Sequence, residues 1–238
     1  SGQTGDLNDA LFATDNFRVP GAIGGAVDYN EYISTSTNPT LGDTLRTISF
    51  WVNTTQAAGL TQYVTFGTNQ TGGKFDIGID ADNGGHLEVG LGFGRMDVTQ
   101  TTVTTPPLND GTWRLATVVI ADALDGDSGI VEIEDIDIYV DGEFSYDGSA
   151  NNAAGVAVNT TAGALDLMNG AGATDDLAVW DNALTPDEIK GLFDTGSQLS
   201  VNAGIYDQVL SLHDSGSGTI YAGDYEWTYA SSLASPAG

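Results

Sequence analysis

The sequence predicts an all-β fold, an antiparallel two-sheet sandwich or jelly roll with one short helix near 186–195. Three observations predict it. Short stretches alternating apolar and polar residues recur along most of the chain, clusters of Gly, Asn and Asp separate them, and only one segment carries strong helix-start chemistry. Alternation with period two places every second side chain on one face, which suits a half-buried strand. Many short strands between turn clusters then stack as two sheets.

The elements follow in chain order. Residues 47–52 place Ile48, Phe50 and Val52 on one face. Residues 75–80 and 86–91 flank Ala81-Asp82-Asn83-Gly84-Gly85, whose residues favour a hairpin reversal. Residues 113–120 form an apolar stretch that ends in a polar loop. Ile136, Ile138 and Val140 alternate with Asp137, Tyr139 and Asp141, and Asp141-Gly142 turns the chain into Glu143-Phe144. Thr185-Pro186-Asp187-Glu188 reads as an N-cap, a proline at the first helical position, an acid in the first turn and a capping-box Glu. That helix runs through Ile189, Leu192 and Phe193 and is expected to stop near Gly196; a weaker helical pattern covers 206–213. Composition softens after Gly196, so 1–196 reads as the sandwich and 197–238 as an extension with a flexible tail. Tyr225, Trp227 and Tyr229 interrupt that softness and are expected to pack on the sandwich edge.

Composition limits the function classes. The 238 residues hold 6 Lys+Arg against 33 Asp+Glu, a net charge of −27, with 40% hydrophobic residues and no cysteine. Such a chain can bury a large core. It has no basic patch to neutralise phosphates, so nucleic acid and anionic lipid are excluded as direct partners. Divalent cations fit, because carboxylates are hard oxygen ligands. The absence of cysteine removes disulfides, thiolate metal sites and cysteine nucleophiles together. No apolar stretch approaches the length of a membrane span, and residues 1–15 have no signal-peptide pattern.

Four segments, in this order, resemble the laminin-G-like, concanavalin A-like sandwich family. They are Pro20-Gly21-Ala22-Ile23-Gly24-Gly25-Ala26-Val27-Asp28-Tyr29, Arg46-Thr47-Ile48-Ser49-Phe50-Trp51-Val52, Asp110-Gly111-Thr112-Trp113 with Ile138-Tyr139-Val140-Asp141-Gly142, and Asp175-Asp176-Leu177-Ala178-Val179-Trp180-Asp181-Asn182-Ala183-Leu184-Thr185. The resemblance covers about 20–196. It implies a jelly roll in a secreted or cell-surface protein that binds glycans or other proteins and often holds a structural calcium at the sandwich edge.

The candidate residues are few. Parity with Leu177 and Val179 places Asp175 on the core side, where an uncompensated carboxylate is costly. The resemblance carries a calcium-ligand role onto Asp175, with Asp176 beside it and Asp6 and Asp9 as contributors; the alternative is that Asp175 accepts backbone N–H groups without metal. Asp80-Ala81-Asp82-Asn83-Gly84 and the acids at Asp122, Asp125 and Asp127 read as turn chemistry, since neither completes a calcium loop, with a second ion site near Asp125 and Asp127 as the alternative. The stretch from Glu132 to Asp137 reads as a solvated acidic strand, because Glu132 and Glu134 do not share parity with Asp135 and Asp137. His86 and His213 read as surface or packing residues. Trp51, Trp113 and Trp180 read as core. For a sugar, Tyr63, Phe93, Arg95 and Asp97 offer an aromatic surface, a scarce cation and hydrogen-bonding groups, next to the glycine-spaced stretch at Gly90, Gly92 and Gly94.

The expected function is a non-catalytic binding module whose partner is a glycan, an extracellular polysaccharide or a surface protein, braced by calcium. The alternatives are an adhesive domain with no sugar site and, last, a glycoside hydrolase or lyase. A filled calcium site stabilises by about 2.7 kcal/mol at a hundred times Kd. Thermal melts with calcium and with chelator therefore separate by several degrees in the native chain and coincide in Asp175→Ala; coincident native curves remove the metal.

Overall fold

The computed structural model describes residues 18–23, 25–28, 33–34, 42–92, 94–96, 105–121, 131–147, 157–167, 172–206, 218–222 and 225–229. Strands run in the order β1 (Arg18–Pro20), β2 (Gly25–Asp28), β3 (Ile33–Ser34), β4 (Arg46–Asn53), β5 (Leu60–Gly67), β6 (Lys74–Asp80), β7 (His86–Leu91), β8 (Gly94–Met96) and β9 (Arg114–Ile120). They continue with β10 (Ile136–Val140), β11 (Glu143–Asp147), β12 (Leu165–Leu167) and β13 (Ala173–Trp180), then helix α1 (Pro186–Tyr206) and the strands β14 (Gly218–Ala222) and β15 (Tyr225–Tyr229). One antiparallel sheet has the order β1-β2-β13-β4-β9-β10-β11 and the other β3-β12-β5-β6-β7-β8, while among the described residues β14 and β15 pair with each other and with no other strand. The expected jelly-roll sandwich is present.

The core lies between the two larger sheets. Ile48, Phe50 and Val52 from β4 and Val118 and Ile120 from β9 meet Val64 and Phe66 from β5, Phe75, Ile77 and Ile79 from β6, and Leu87, Val89 and Leu91 from β7. Burying each such side chain contributes about 1.5–3 kcal/mol. The turn signals hold where they are strongest. Asp80 pairs with His86 across the five-residue reversal. Asp141 and Gly142 both have positive φ, 54° and 78°, as a two-residue hairpin between Val140 and Glu143 requires.

The helix ends differently from the expectation. Its start is the capping box read from sequence: the Thr185 N–H donates to the Glu188 carboxylate at 2.8 Å, and the Glu188 N–H donates to Thr185 Oγ1 at 3.3 Å. It then passes through Gly196 and continues to Tyr206, so Gly196 is not a terminator. A Cβ there would lie 2.7 Å from the Trp51 ring and 3.3 Å from Ile23, so the glycine permits close approach of helix to sheet. Ile189, Leu192 and Phe193 complete that contact against Trp51, Leu115, Val119 and Tyr139 on the outer face of the seven-stranded sheet. Trp51 is buried here, beneath the helix rather than between the sheets, and its ring stacks on Phe193 at 5.8 Å. The weaker helical pattern beyond 206 lies outside the described residues. Among the described residues no helix is long and apolar enough to cross a membrane.

One end of the sandwich is closed by a buried arginine. Arg46 donates to the Thr44 carbonyl at 3.0 Å, Thr160 Oγ1 at 2.9 Å and the Gly42 carbonyl at 2.7 Å, with its guanidinium 5.9 Å from the centre of the Phe75 ring. Burial lowers its pKa to about 10, partly opposed by Asp43, so it stays charged at neutral pH.

Gly196→Ala separates packing from capping. In an open helix interior the change stabilises by roughly 1 kcal/mol; under Trp51 it is expected to destabilise by about 1–3 kcal/mol. Calorimetry should show a midpoint lower by roughly 2–12 °C, and an unchanged or raised midpoint contradicts the close contact.

Candidate functional site

The two outer faces of the sandwich differ in chemistry. Helix α1 roofs the seven-stranded sheet, whereas the outer face of the six-stranded sheet is largely polar. Because Phe75, Ile77, Ile79, Leu87, Val89 and Leu91 point into the core, their neighbours in sequence face outward. Register aligns those neighbours in rows. Ser34, Asp166, Thr65, Asp76, Gly90 and Arg95 form one row across all six strands. Gln62, Gly78 and Glu88 form the next, and Leu60, Asp80 and His86 a third.

Gly78 and Gly90 lie at the centre of this face, where they are buried together with Asp76 and Glu88. Asp76 and Glu88 occupy one diagonal of a four-residue block, with Gly90 and Gly78 on the other. A Cβ on Gly90 would lie 2.6 Å from one Asp76 carboxylate oxygen, so that carboxylate leans over the glycine along the row toward the Arg95 position. Lys74 lies 3.6 Å from the Asp76 carboxylate and donates to Gln62 Oε1 at 3.3 Å. Asp76 and Glu88 are 0% and 3% exposed, while Gln62, Lys74, Asp80, His86 and Asp166 are partly open to solvent. Burial pushes the His86 imidazole below its ordinary pKa, which favours its neutral form. The part-exposed set therefore offers donors and acceptors around a buried pair of carboxylates, with acids outnumbering Lys74.

The sequence-derived candidates separate on this structure. Tyr63 is not a surface platform: it is 0% exposed and stacks on Phe50 at 6.4 Å inside the core. The register shift between Gln62 and Val64 directs it inward, and such a shift has no signature in local alternation. Arg95 takes its place in the polar row by register, although its side chain lies outside the described residues, as do Asp97, Phe93, Asp6 and Asp9 in full. The usable signal for the patch was the pair of glycines in otherwise regular strands, which marks close approach.

Asp175 also moves. Parity with Leu177 and Val179 implies the core side, but β13 carries a bulge between Asp175 and Ala178, and Asp176 has φ 46°. The bulge inverts the alternation, so Asp175 pairs with Trp51 on the outer face while Leu177 and Val179 still pack on the core. Asp175 is 8% exposed, and its two oxygens accept the Ile23 N–H at 2.9 Å and the Asp176 N–H at 3.0 Å. Calcium takes six to eight oxygens, and among the described residues no group of three or more His, Cys, Asp or Glu is placed to hold a metal ion. In this structure Asp175 accepts backbone donors from Ile23 and Asp176.

Glu132 and Asp135 are likewise not a solvated strand. They cap each other's backbone around a single 3-10 turn, Ile133–Asp135, with the Glu132 N–H donating to Asp135 at 2.8 Å. Sandwich-rim acids play similar parts. Asp141 accepts the Leu115 N–H at 2.9 Å and Arg114 at 2.8 Å, and Arg114 also donates to Asp110.

That Arg114 hydrogen bond is the largest cause that holds the Asp110 carboxyl down to about 2. A depressed carboxyl pKa adds stability above the unfolded value and loses it as pH falls through the folded one. The melting difference between the native chain and Asp110→Asn should stay constant from pH 7 to 5 and close between about pH 4 and 2, with a magnitude under about 1 kcal/mol because the pair is open to solvent. A difference that does not change over that range removes the ion pair.

Comparison with known proteins places this geometry. A profile of the concanavalin A-like lectin/glucanases superfamily matches residues 27–190. No curated protein matches the chain. Among solved structures, domain 4 of AbnA, an extracellular GH43 arabinanase of Geobacillus stearothermophilus in complex with arabinotriose, is 19% identical at a TM-score of 0.50, covering 74% of this chain and 79% of that one. The binding domain of botulinum neurotoxin DC, in complex with rat synaptotagmin II, is 13% identical at 0.45 over 72% and 47%. A heptameric SAP-like pentraxin of Limulus polyphemus is 13% identical at 0.44 over 68% and 75%. With its profile matched over more than half of its length, the chain belongs to the concanavalin A-like lectin/glucanase superfamily.

Proposed function

We propose that the protein is a non-catalytic binding module, secreted or displayed at a cell surface, that takes a neutral glycan on the outer face of its six-stranded sheet. The observation that carries this reading is the contrast between the two outer faces. One is apolar and occupied by α1. The other presents the part-exposed Gln62, Lys74, Asp80, His86 and Asp166 around a buried centre at Asp76, Gly78, Glu88 and Gly90. Sugar hydroxyls need closely spaced donors and acceptors with little obstruction, and the net charge of −27 favours an uncharged ligand over a polyanion. The arabinotriose held by the AbnA domain supports this class of ligand for a domain of this fold.

Catalysis is the weaker reading. The nearest pair of carboxylates on this face, Asp76 and Glu88, is diagonal in register, a spacing that glycosidases use. Both are buried, and an acid or nucleophile must reach the bond it cleaves. Calcium stays in the proposal only as an ion completed by oxygens from outside the described residues, where Asp6 lies.

The test is titration calorimetry against a panel of neutral oligosaccharides that includes arabinotriose. Lys74→Ala and Gln62→Ala are expected to weaken binding by at least about fivefold each, near 1 kcal/mol, with midpoints within about 2 °C of the native chain. Binding of no sugar, together with a protein partner retained at the same surface, favours the adhesive alternative. Turnover of a bound glycan that is lost in Asp76→Asn favours the hydrolase.

A further inference from the structure

We propose that Asn69 is an acceptor for N-linked glycosylation, selected by the fold from three matches to the same short pattern. Asn-x-Thr, with x other than proline, occurs at Asn53-Thr54-Thr55, Asn69-Gln70-Thr71 and Asn159-Thr160-Thr161. Such a tripeptide takes a glycan on the asparagine amide, and the hydroxyl two residues on is part of what the transferase reads. Both side chains must therefore be reachable, on backbone free to fit the enzyme.

The middle match meets these conditions. Asn69, Gln70 and Thr71 are exposed in the turn between β5 and β6, and among the described residues neither the Asn69 amide nor the Thr71 hydroxyl is held by a hydrogen bond. The stem of the turn is fixed, since the Gln70 N–H donates to the Thr68 carbonyl at 2.8 Å and the Gly73 N–H to the Gln70 carbonyl at 2.9 Å. The other two matches are committed to the fold. Asn53 ends β4 opposite Ala173, its amide donates to the Gly111 carbonyl at 3.2 Å, and Thr54 is buried. In the third match Thr160 is buried and accepts Arg46 at 2.9 Å. The Thr161 hydroxyl, the one a transferase would read, donates to the Gly73 carbonyl at 3.0 Å and lies 2.7 Å from Thr68 Oγ1. The N–H groups of Asn159, Thr160 and Thr161 donate to the carbonyls of Gly72, Gly42 and Gly73. Modification at Asn53 or Asn159 therefore requires local opening, whereas Asn69 is presented by the folded chain.

The step is a glycosyl transfer from a polyprenyl-pyrophosphate-linked glycan. Asn69 Nδ2 attacks C1 of the first sugar, the Nδ2–C1 bond forms, and the bond from C1 to the pyrophosphate oxygen breaks. Its electron pair leaves with the polyprenyl pyrophosphate, and one amide proton passes through the transferase to solvent. A bulky polar group is tolerated on an exposed turn because no packed surface has to move. The proposal rests on the secreted or surface reading for the encounter with a transferase. It concerns a covalent acceptor on the turn and not the sheet face that binds a sugar.

The test offers the purified, folded chain to a single-subunit oligosaccharyltransferase with a polyprenyl-pyrophosphate-linked oligosaccharide, beside three synthetic peptides that span the matches. Glycopeptide sequencing is expected to find Asn69 of the folded chain modified at least about tenfold faster than Asn53 or Asn159, which react through a minority opened state. The three peptides should differ by less. Asn69→Gln and Thr71→Ala should abolish the Asn69 product and Thr71→Ser should keep it, with midpoints within about 2 °C of the native chain. Three results overturn the proposal: a folded chain left unmodified at Asn69 while its peptide is modified, an Asn69 peptide that is itself refused, or equal modification at all three positions of the folded chain. All three are read on purified protein, so a failure of the secreted or surface reading is seen separately, in whether cells export the chain.

Discussion

The packing of α1 on the seven-stranded sheet gives the molecule an apolar, roofed side opposite a polar one. A sandwich buries the facing sides of its sheets but leaves two outer faces, and an apolar outer face needs a roof. Ile189, Leu192 and Phe193 provide it over Trp51, Leu115, Val119 and Tyr139. The approach is set by hydrogen bonds as well as by apolar area. Thr47 Oγ1 accepts the Leu184 N–H at 2.9 Å and donates to the Asn182 carbonyl at 2.9 Å, fixing the turn that leads into the helix. Gly196 then lets the backbone lie against the indole of Trp51. On the other side, the six-stranded sheet carries polar rows that are part-exposed at Gln62, Lys74, Asp80, His86 and Asp166 and buried at their centre.

Cations are scarce, and their positions show how the chain uses them. Arg46 joins the loop at Gly42 and Thr44 to the segment at Thr160, and Arg114 ties Asp110 to Asp141. Lys190 pairs with Glu143 and Asp194 on the surface. Lys74 and the Arg95 position fall on the polar sheet face, flanking Asp76. Asp76, Asp80, Glu88 and Asp166 share those rows, so the face keeps a net negative charge and, like the chain as a whole at −27, disfavours a polyanion.

Two bulges relocate the residues that matter most for function. In β13, Asp176 in the left-handed region carries Asp175 to the outer face, where its carboxylate secures Ile23. In β5, the shift at Gln62 and Val64 turns Tyr63 into the core. Each inverts parity for the residues on one side of it. Alternation around Leu177 and Val179 put Asp175 on the wrong face for this reason, and nothing periodic in β5 marked Tyr63 as inward: an extra residue in one strand leaves no periodic trace in that strand alone.

Sequence by itself determined the elements whose causes are local. The β6–β7 and β10–β11 turns, the capping box at Thr185 and Glu188, and the alternating strands around Ile48 and Ile138 each depend on residues within a few positions of one another. The charge that selects against polyanions is likewise a property of composition. Tertiary structure alone decided which strands are neighbours, and hence that Gln62, Lys74, Asp76, Gly78, Glu88 and Gly90 from three strands share one patch. It also decided that Gly196 is a contact rather than a helix end. These outcomes depend on partners distant in sequence, and register between separate strands is set only when their core faces pack together.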